Sequence, residues 1–203
     1  MDILEFAQAF NGDRYLTHAF DTLTKIHFVW TMHTCDQRAL LDCLKELNRF
    51  VKQLGRAMYD LSTNSDPKFG LTFKSTLRDE GINWKPTAPY APKQDPAERA
   101  GKSVVEVARS MAIDGNLPEQ LWPELVVSAA YVLNRTPTKA LDWKTPIEAA
   151  IGRLLSVAHM YKIGSRAYAY KTNPKDRPRR LKLASRVHVG YLLGFEGHNI
   201  YRV

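Results

Sequence analysis

Two cysteines, Cys35 and Cys43, are all that the 203 residues contain. A disulfide framework is excluded, and a reducing intracellular compartment is the default expectation. Long apolar runs are missing as well. Nothing approaches the ~20 residues a membrane span needs, so no membrane partner is expected. The opening MDILEFAQAF has no basic segment ahead of an apolar one, so no secretory signal is read there. Internal repeats and low-complexity tracts are absent, which sets aside solenoids and compositionally biased linkers. Acidic residues are scarce at one end only. From Lys162 onward ten Lys and Arg face two acids, Asp176 and Glu196, so that stretch carries the whole net charge of +8. Residues 1–161 hold 19 charges of each sign and are formally neutral. The split excludes a uniformly cationic, histone-like protein and points to an appendage for a polyanion.

What is present is the composition of a folded protein, 44% hydrophobic and 25% charged, long enough for a medium domain and a small one. Asp2 to Phe6 and Arg14 to Phe20 read as strands around an Asn11-Gly12-Asp13 turn. Lys25 to Met32 (KIHFVWTM), rich in β-branched and aromatic residues, is a third strand. The period then changes: Leu40, Leu44, Leu47, Val51 and Leu54 form one apolar stripe of a helix over Asp36 to Leu54. Ala57 to Thr63 is a fourth strand, Phe73 to Arg78 a short helix, and Ile82 to Trp84 a fifth strand. Prolines at 86, 89 and 92 punctuate the loop that follows. Pro96 opens a helix through Met111, and Pro118 another from Glu119 to Asn134. Thr145-Pro146 precedes a short helix ending at Gly152. After Gly164 the texture turns to short β-like runs around KTNPKDRPRR. The order β-β-β-α-β-α-β-α-α is that of an α/β mixed sheet with helices on its faces, followed after residue 155 by a basic β-rich extension, 156–203.

The string TAPYAPKQDPAER, Thr87 to Arg99, with the helix GKSVVEVARSM behind it, resembles the third catalytic motif of copia-type retrotransposon integrases. DILEF resembles the family's first-strand aspartate motif, and HAFDTLTKIHFVW the strand pair after it. LPEQLWPELVVSAAYVLNRTPT and WKTPIEAAIG are similar to the helices beyond its core. GSRAYAY through RLKLASRVHVGYLLGF is similar to its small C-terminal extension. The resemblance covers nearly the whole chain. It implies an RNase H-like mixed five-stranded sheet and a DDE site, two aspartates and a glutamate holding Mg²⁺ or Mn²⁺. The implied reaction is strand transfer, an in-line attack of a hydroxyl on a DNA phosphodiester, where two metal ions activate the attacking oxygen and neutralise the leaving one. Hard Mg²⁺ prefers carboxylate oxygens, which is why the family's three positions are acidic.

Asp2 and Glu98 occupy the first and third positions. At the second, the segment Asn64-Ser65-Asp66-Pro67-Lys68-Phe69-Gly70 puts Asn64 where the aspartate belongs, with Asp66 two residues on as the alternative carboxylate. The working set under the resemblance is therefore Asp2, Asp66 and Glu98. A neutral amide cannot bridge two cations, so Asn64 implies an impaired, degenerate or truncated copy. The glycine the family carries before its glutamate helix is also absent, Asp95 running directly into Pro96. Lys102 lies at i+4 from Glu98, placed either to pair with it or to meet a phosphate. Lys175, Arg177, Arg179, Arg180 and Lys182, interleaved with Tyr168, Tyr170 and Tyr191, have the composition of a nucleic-acid contact. His33, Cys35 and Cys43 match no four-ligand zinc spacing. The expected partners are DNA, with RNA as the second polyanion, and further copies of the chain in a homo-oligomer; the expected place of action is the nucleus. A noncatalytic nucleic-acid-binding module derived from an integrase is the alternative.

Overall fold

The computed structural model describes residues 1–64, 66–87, 96–172, 185–197 and 199–203. Strands β1 (Asp2–Glu5), β2 (Tyr15–Phe20) and β3 (His27–Met32) form an antiparallel sheet in that order. The turn between β1 and β2 is set by Asn11, whose side chain accepts from Asp13 N–H (3.0 Å) and donates to Asp13 Oδ2 (2.9 Å). The adjoining Gly12 stands at φ +90°, a conformation that glycine adopts without strain. Alternation along β2 divides its side chains between two apolar clusters. Ala19 joins the first with Leu40, Leu44, Leu47 and Phe73, while Leu16 joins the second with Val104, Leu125 and Val126.

Helix α1 (Gln37–Gln53) covers the first face. Asp36 caps it, accepting from Ala39 N–H (2.8 Å) and satisfying one of the unpaired first-turn donors. The predicted leucine stripe is the buried one, with Leu40, Leu44 and Leu47 at most 5% exposed; each such side chain contributes about 1.5–3 kcal/mol by leaving water. Helix α2 (Leu71–Asp79) lies beside α1 and leads into β5 (Asn83–Pro86), which pairs in parallel with β4 (Asp60–Thr63). The second face carries α3 (Pro96–Gly115) and α4 (Trp122–Leu133), the latter after a 3-10 turn over Glu119–Leu121. Trp122 stacks on Phe6 (4.5 Å between centroids) and donates to Ala7 O (2.9 Å). The side chain of Asn134, at the end of α4, accepts from His27 N–H and donates to His27 O, both at 2.8 Å, so part of the outer edge of β3 is covered. Thr145 opens α5 (Pro146–Ile151) with a capping box to Glu148.

One expectation is corrected. The sequence leads to a single five-stranded sheet, whereas the described residues form a three-stranded antiparallel sheet and a separate parallel pair, β4–β5. A main-chain bond from the Met1 amino group to Ser62 O (2.5 Å) joins the residue ahead of β1 to β4.

Residues beyond 155 add β6 (Arg166–Tyr170) paired with β7 (Val187–Tyr191), and β8 (Gly194–Phe195) paired with β9 (Tyr201–Arg202), both antiparallel. Ile163, Leu192 and Phe195 are buried in the second cluster with α3 and α4. Ser128 on α4 donates to Leu193 O (2.6 Å), and Arg202 bridges Glu124 and Glu196, each at 2.7 Å. The backbone at Gly164 (φ +84°) passes so close to Gly115 that an added Cβ would sit 2.5 Å from the Gly115 Cα. Only glycine allows that approach.

Candidate active site

Asp2 and Asn64 come together from strands far apart in sequence. Asp2 is 9% exposed, and its Oδ1 accepts from Ile3 N–H (2.9 Å) and from Asn64 Nδ2 (3.1 Å). Asn64 follows directly on β4, so strand geometry delivers its side chain to the first aspartate. The Asn64 Oδ1 is buried and finds no hydrogen-bond partner among the described residues. Thr63, one residue earlier, is 1% exposed; its hydroxyl accepts from Trp84 Nε1 (3.0 Å) and donates to Asn64 O (2.9 Å). Both residues at the end of β4 therefore present neutral groups.

Glu98 sits in the first turn of α3 and holds the Lys102 ammonium at 2.8 Å. Lys102 thus pairs with its i+4 partner, with 65% of its side chain still exposed. The Glu98 carboxylate raises the Lys102 pKa above its ordinary value, and the Asp2 carboxylate adds to the effect, which places Asp2 within electrostatic reach of the glutamate helix. Asp66 is engaged in a local turn. Its Oδ1 accepts from Lys68 N–H (2.8 Å) and its carbonyl from Phe69 N–H (3.0 Å), a turn that seats the buried Phe69. Its carboxylate acts on Cys35, whose thiol burial pushes up, with Lys68 opposing and Asp66 adding. Asp2, Asp66 and Glu98 do not form a three-donor metal group, and no other three His, Cys, Asp or Glu side chains do so among the described residues. Lys175, Arg177, Arg179, Arg180 and Lys182 lie outside the described residues.

The sequence reading passed over His18. It stands opposite Asp2 in the β1–β2 register and is fully buried. Its Nε2 lies 3.2 Å from His27 Nδ1, so one ring donates and the other accepts. A Cβ added to Gly101 of α3 would come 3.3 Å from His18 Nδ1, which explains a glycine inside a helix. Period-two alternation in YLTHAF, with His18 on the face of Leu16, was the signal available. Burial pushes His18 down to about 3, aided by His27 and the N-terminal charge, and burial pushes His27 down to about 4. Both rings are neutral in the fold and take up protons at an ordinary His value of about 6.5 when unfolded. Since the unfolded chain binds more protons over that interval, stability falls as pH drops from about 6.5 toward 4. The thermal midpoint is expected to decline over that window, and His18→Asn is expected to flatten the decline. An equally steep profile in the variant would remove His18 as its cause.

No protein-family model matches the chain. The retrovirus-related Pol polyprotein from transposon TNT 1-94 of Nicotiana tabacum is 26% identical over 189 residues, 91% of this chain. The corresponding polyprotein from transposon RE2 of Arabidopsis thaliana is 23% identical over 124 residues, 61% of the chain. The chain is homologous to the Pol polyproteins of plant transposons. It spans only 14% and 8% of those relatives' lengths. Among solved structures, the catalytic core of BIV integrase superposes with a TM-score of 0.55 at 15% identity, over 74% of this chain and 92% of that one. A chain of the simian T-cell lymphotropic virus intasome, in complex with a PP2A regulatory subunit, gives 0.59 at 18% identity over 94% and 66%. The HTLV-2 integrase catalytic core, solved with magnesium in a trimeric form, gives 0.50 at 15% identity over 66% and 91%. The Pol-related chain thus has the RNase H-like α/β fold of an integrase catalytic core.

Its donor set does not fit a two-metal cage. Asn64 offers Asp2 an N–H where a cage needs an anionic oxygen, and the Glu98 carboxylate is already engaged by an ammonium. Two cations shared among Asp2, Glu98 and an amide would keep too little compensating charge.

Proposed function

We propose that the chain is the catalytic-core region of a copia-type retrotransposon integrase, residues 1–155 with the extension 156–203, acting on DNA in the nucleus and impaired in metal-dependent strand transfer. The observation that carries the reading is the Asn64 Nδ2 to Asp2 Oδ1 hydrogen bond at 3.1 Å. It sets an amide, at the position the resemblance gives to a carboxylate, beside the first aspartate. In the family Mg²⁺ or Mn²⁺ would activate the attacking hydroxyl; here Asp2 and Glu98 would have to hold it with an amide in place of the second aspartate. The test is a strand-transfer assay on oligonucleotide ends with Mg²⁺ or Mn²⁺. Background-level joining is the expected result. Joining that Glu98→Gln abolishes would overturn the impairment, and joining abolished by Asp66→Asn would restore Asp66 as the second ligand.

A second reading, a nucleic-acid-binding module, is favoured by the β6–β7 hairpin. Its register places Arg166, Tyr168 and Tyr170 across from Tyr191, Val189 and Val187. Tyr168 is 63% exposed, and Tyr170 and Tyr191 are also more than half exposed. Arg166 interacts with both Tyr168 and Tyr191, which raise its pKa. Exposed rings beside cations suit bases stacked along a charged backbone. With about four to five phosphate contacts, log affinity should fall against log salt with a slope of about −4. Lys102→Ala should reduce that slope by about one while affecting all sequences equally. Filter binding or anisotropy from 50 to 200 mM salt reads both effects. A flat salt dependence would eliminate the binding reading.

A further inference from the structure

Helix α1 carries its cations on one line. Arg38, Lys45, Arg49 and Lys52 are spaced seven, four and three residues apart, which at 3.6 residues per turn sets them within an arc of about 60° and along about 21 Å of helix. The arc lies opposite the buried Leu40, Leu44 and Leu47, and all four cationic residues are exposed. Residues 1–161 have no net charge, so the ridge arises because the helical period sorts charges that the linear count averages away.

The ridge is poorly compensated. Glu46, on its flank, accepts from Trp30 Nε1 (2.9 Å), and Asp42 stands 3.7 Å from Lys45 with both side chains about two-thirds exposed. The side chains of Arg38 and Arg49 make no hydrogen bond or ion pair among the described residues. Arg38 also works against its own helix. It stands in a first turn that has no acidic residue, where the positive end of the macrodipole disfavours a cation. Helix stability therefore does not account for an arginine there. Beside the ridge lies a groove of about 450 Å³ between α1 and α2. Lys45, Arg49 and Lys52 line it from α1 and Thr76 from α2, with the buried Leu44 and Asn48 at its base. Glu80 of α2 is taken by Lys52 (2.8 Å) and Asn48 (2.9 Å), so α2 neutralises neither Lys45 nor Arg49.

We propose that this face docks an acidic amphipathic helix of a partner protein, its carboxylates meeting Arg38, Lys45, Arg49 and Lys52 and an apolar side chain entering the α1–α2 groove. A partner helix presents side chains at the same spacings of three, four and seven as the ridge, and a groove between two helices admits its apolar edge. Nucleic acid fits less well. The ridge has no aromatic side chain on which a base could stack, and a duplex broad enough to cover it would bring phosphates against Asp42 and Glu46. A second copy of the chain does not supply the ligand either. Helix α3, with the most acids of the described helices, spaces Glu98, Glu106 and Asp114 eight residues apart, so they do not share a face.

The docking face stands or falls apart from strand transfer. Its test follows the fluorescence anisotropy of an alanine-based helical peptide with four Glu at the mirrored spacing and two Leu beside them. A peptide of the same composition in scrambled order and a DNA duplex serve as the other ligands, all against the full chain. The ordered peptide should bind at least about tenfold more tightly than the scrambled one, and its affinity should fall with added salt. Arg49→Glu should weaken that binding at least about tenfold. Arg38→Glu should weaken it as much while raising the thermal midpoint, because a carboxylate suits the first turn of α1. Those opposite signs separate docking from loss of fold. Equal binding of the two peptides, or an affinity that neither reversal changes, would overturn the proposal. So would a duplex that binds at least as tightly and is weakened as much by the same two reversals, which would make the ridge a nucleic-acid surface.

Discussion

Asn64→Asp is expected to raise metal-dependent strand transfer from background by at least about 100-fold, the scale on which one preorganised charged or polar group at a reacting centre is felt. The parent residue donates to Asp2 through Nδ2. A carboxylate there cannot donate, so without metal it meets Asp2 as a second anion and the apo variant loses stability. A divalent ion reverses that penalty, because its charge falls between two carboxylates with Glu98 on the neighbouring helix. Mg²⁺ should therefore raise the thermal midpoint of the variant and leave that of the parent unchanged, a readout separate from turnover. Adding Glu98→Gln should return both the joining activity and the Mg²⁺-dependent stabilisation to the parental level. An Asn64→Asp protein that folds, shows no Mg²⁺ response and joins no DNA would remove residue 64 as the missing ligand. Thr63, the other neutral residue at the end of β4, would then be the next position to convert.

The second large effect concerns the extension. Phe195→Ala is expected to destabilise the whole chain by about 3–5 kcal/mol, the usual range for emptying a buried aromatic position. In a protein of this size that lowers the thermal midpoint by about 10 °C. Phe195 is 4% exposed, stacks at 5.3 Å on Tyr131 of α4, and meets the ring of His159 edge-on at 5.9 Å. Leu192 and Ile163 share its cluster with Val104 and Trp122. Removing everything after residue 155 should accordingly unfold the α3–α4 layer. The proposed nucleic-acid binding is accordingly better tested by charge reversal than by truncation. Circular dichroism melts of Phe195→Ala and of the shortened chain measure the coupling. A shift within about 0.5 kcal/mol, as for a surface site, would mean that the extension is an independent appendage.

The elements were legible because their signals are local. The leucine stripe from Leu40 to Leu47, the Asn11-Gly12-Asp13 turn and the prolines opening α3 and α5 each act over a few residues, and each appears where sequence spacing placed it. Helix ends were less exact: α3 runs on to Gly115, where the Gly164 backbone packs against it. The homology to transposon Pol polyproteins was legible too, since it is carried by an ordered series of motifs rather than by any contact.

What the linear chain could not decide was which groups meet. Two candidates for the second ligand stand two residues apart, and only the direction of β4 separates them, sending Asn64 to Asp2 and turning Asp66 into its own loop. Residue order counted five strands, but whether they form one sheet depends on how far β1 reaches along β4. The charge split at residue 162 marked a chemical boundary, whereas Ile163, Leu192 and Phe195 pack across it because burying apolar surface takes no account of charge along the chain. By itself the sequence determined the secondary elements and the likeness to transposon Pol polyproteins, because those depend on residue type and short-range periodicity. The tertiary structure alone decided the pairing at the site, the division of the sheet and the union of core and extension, because those depend on distances between residues far apart in sequence.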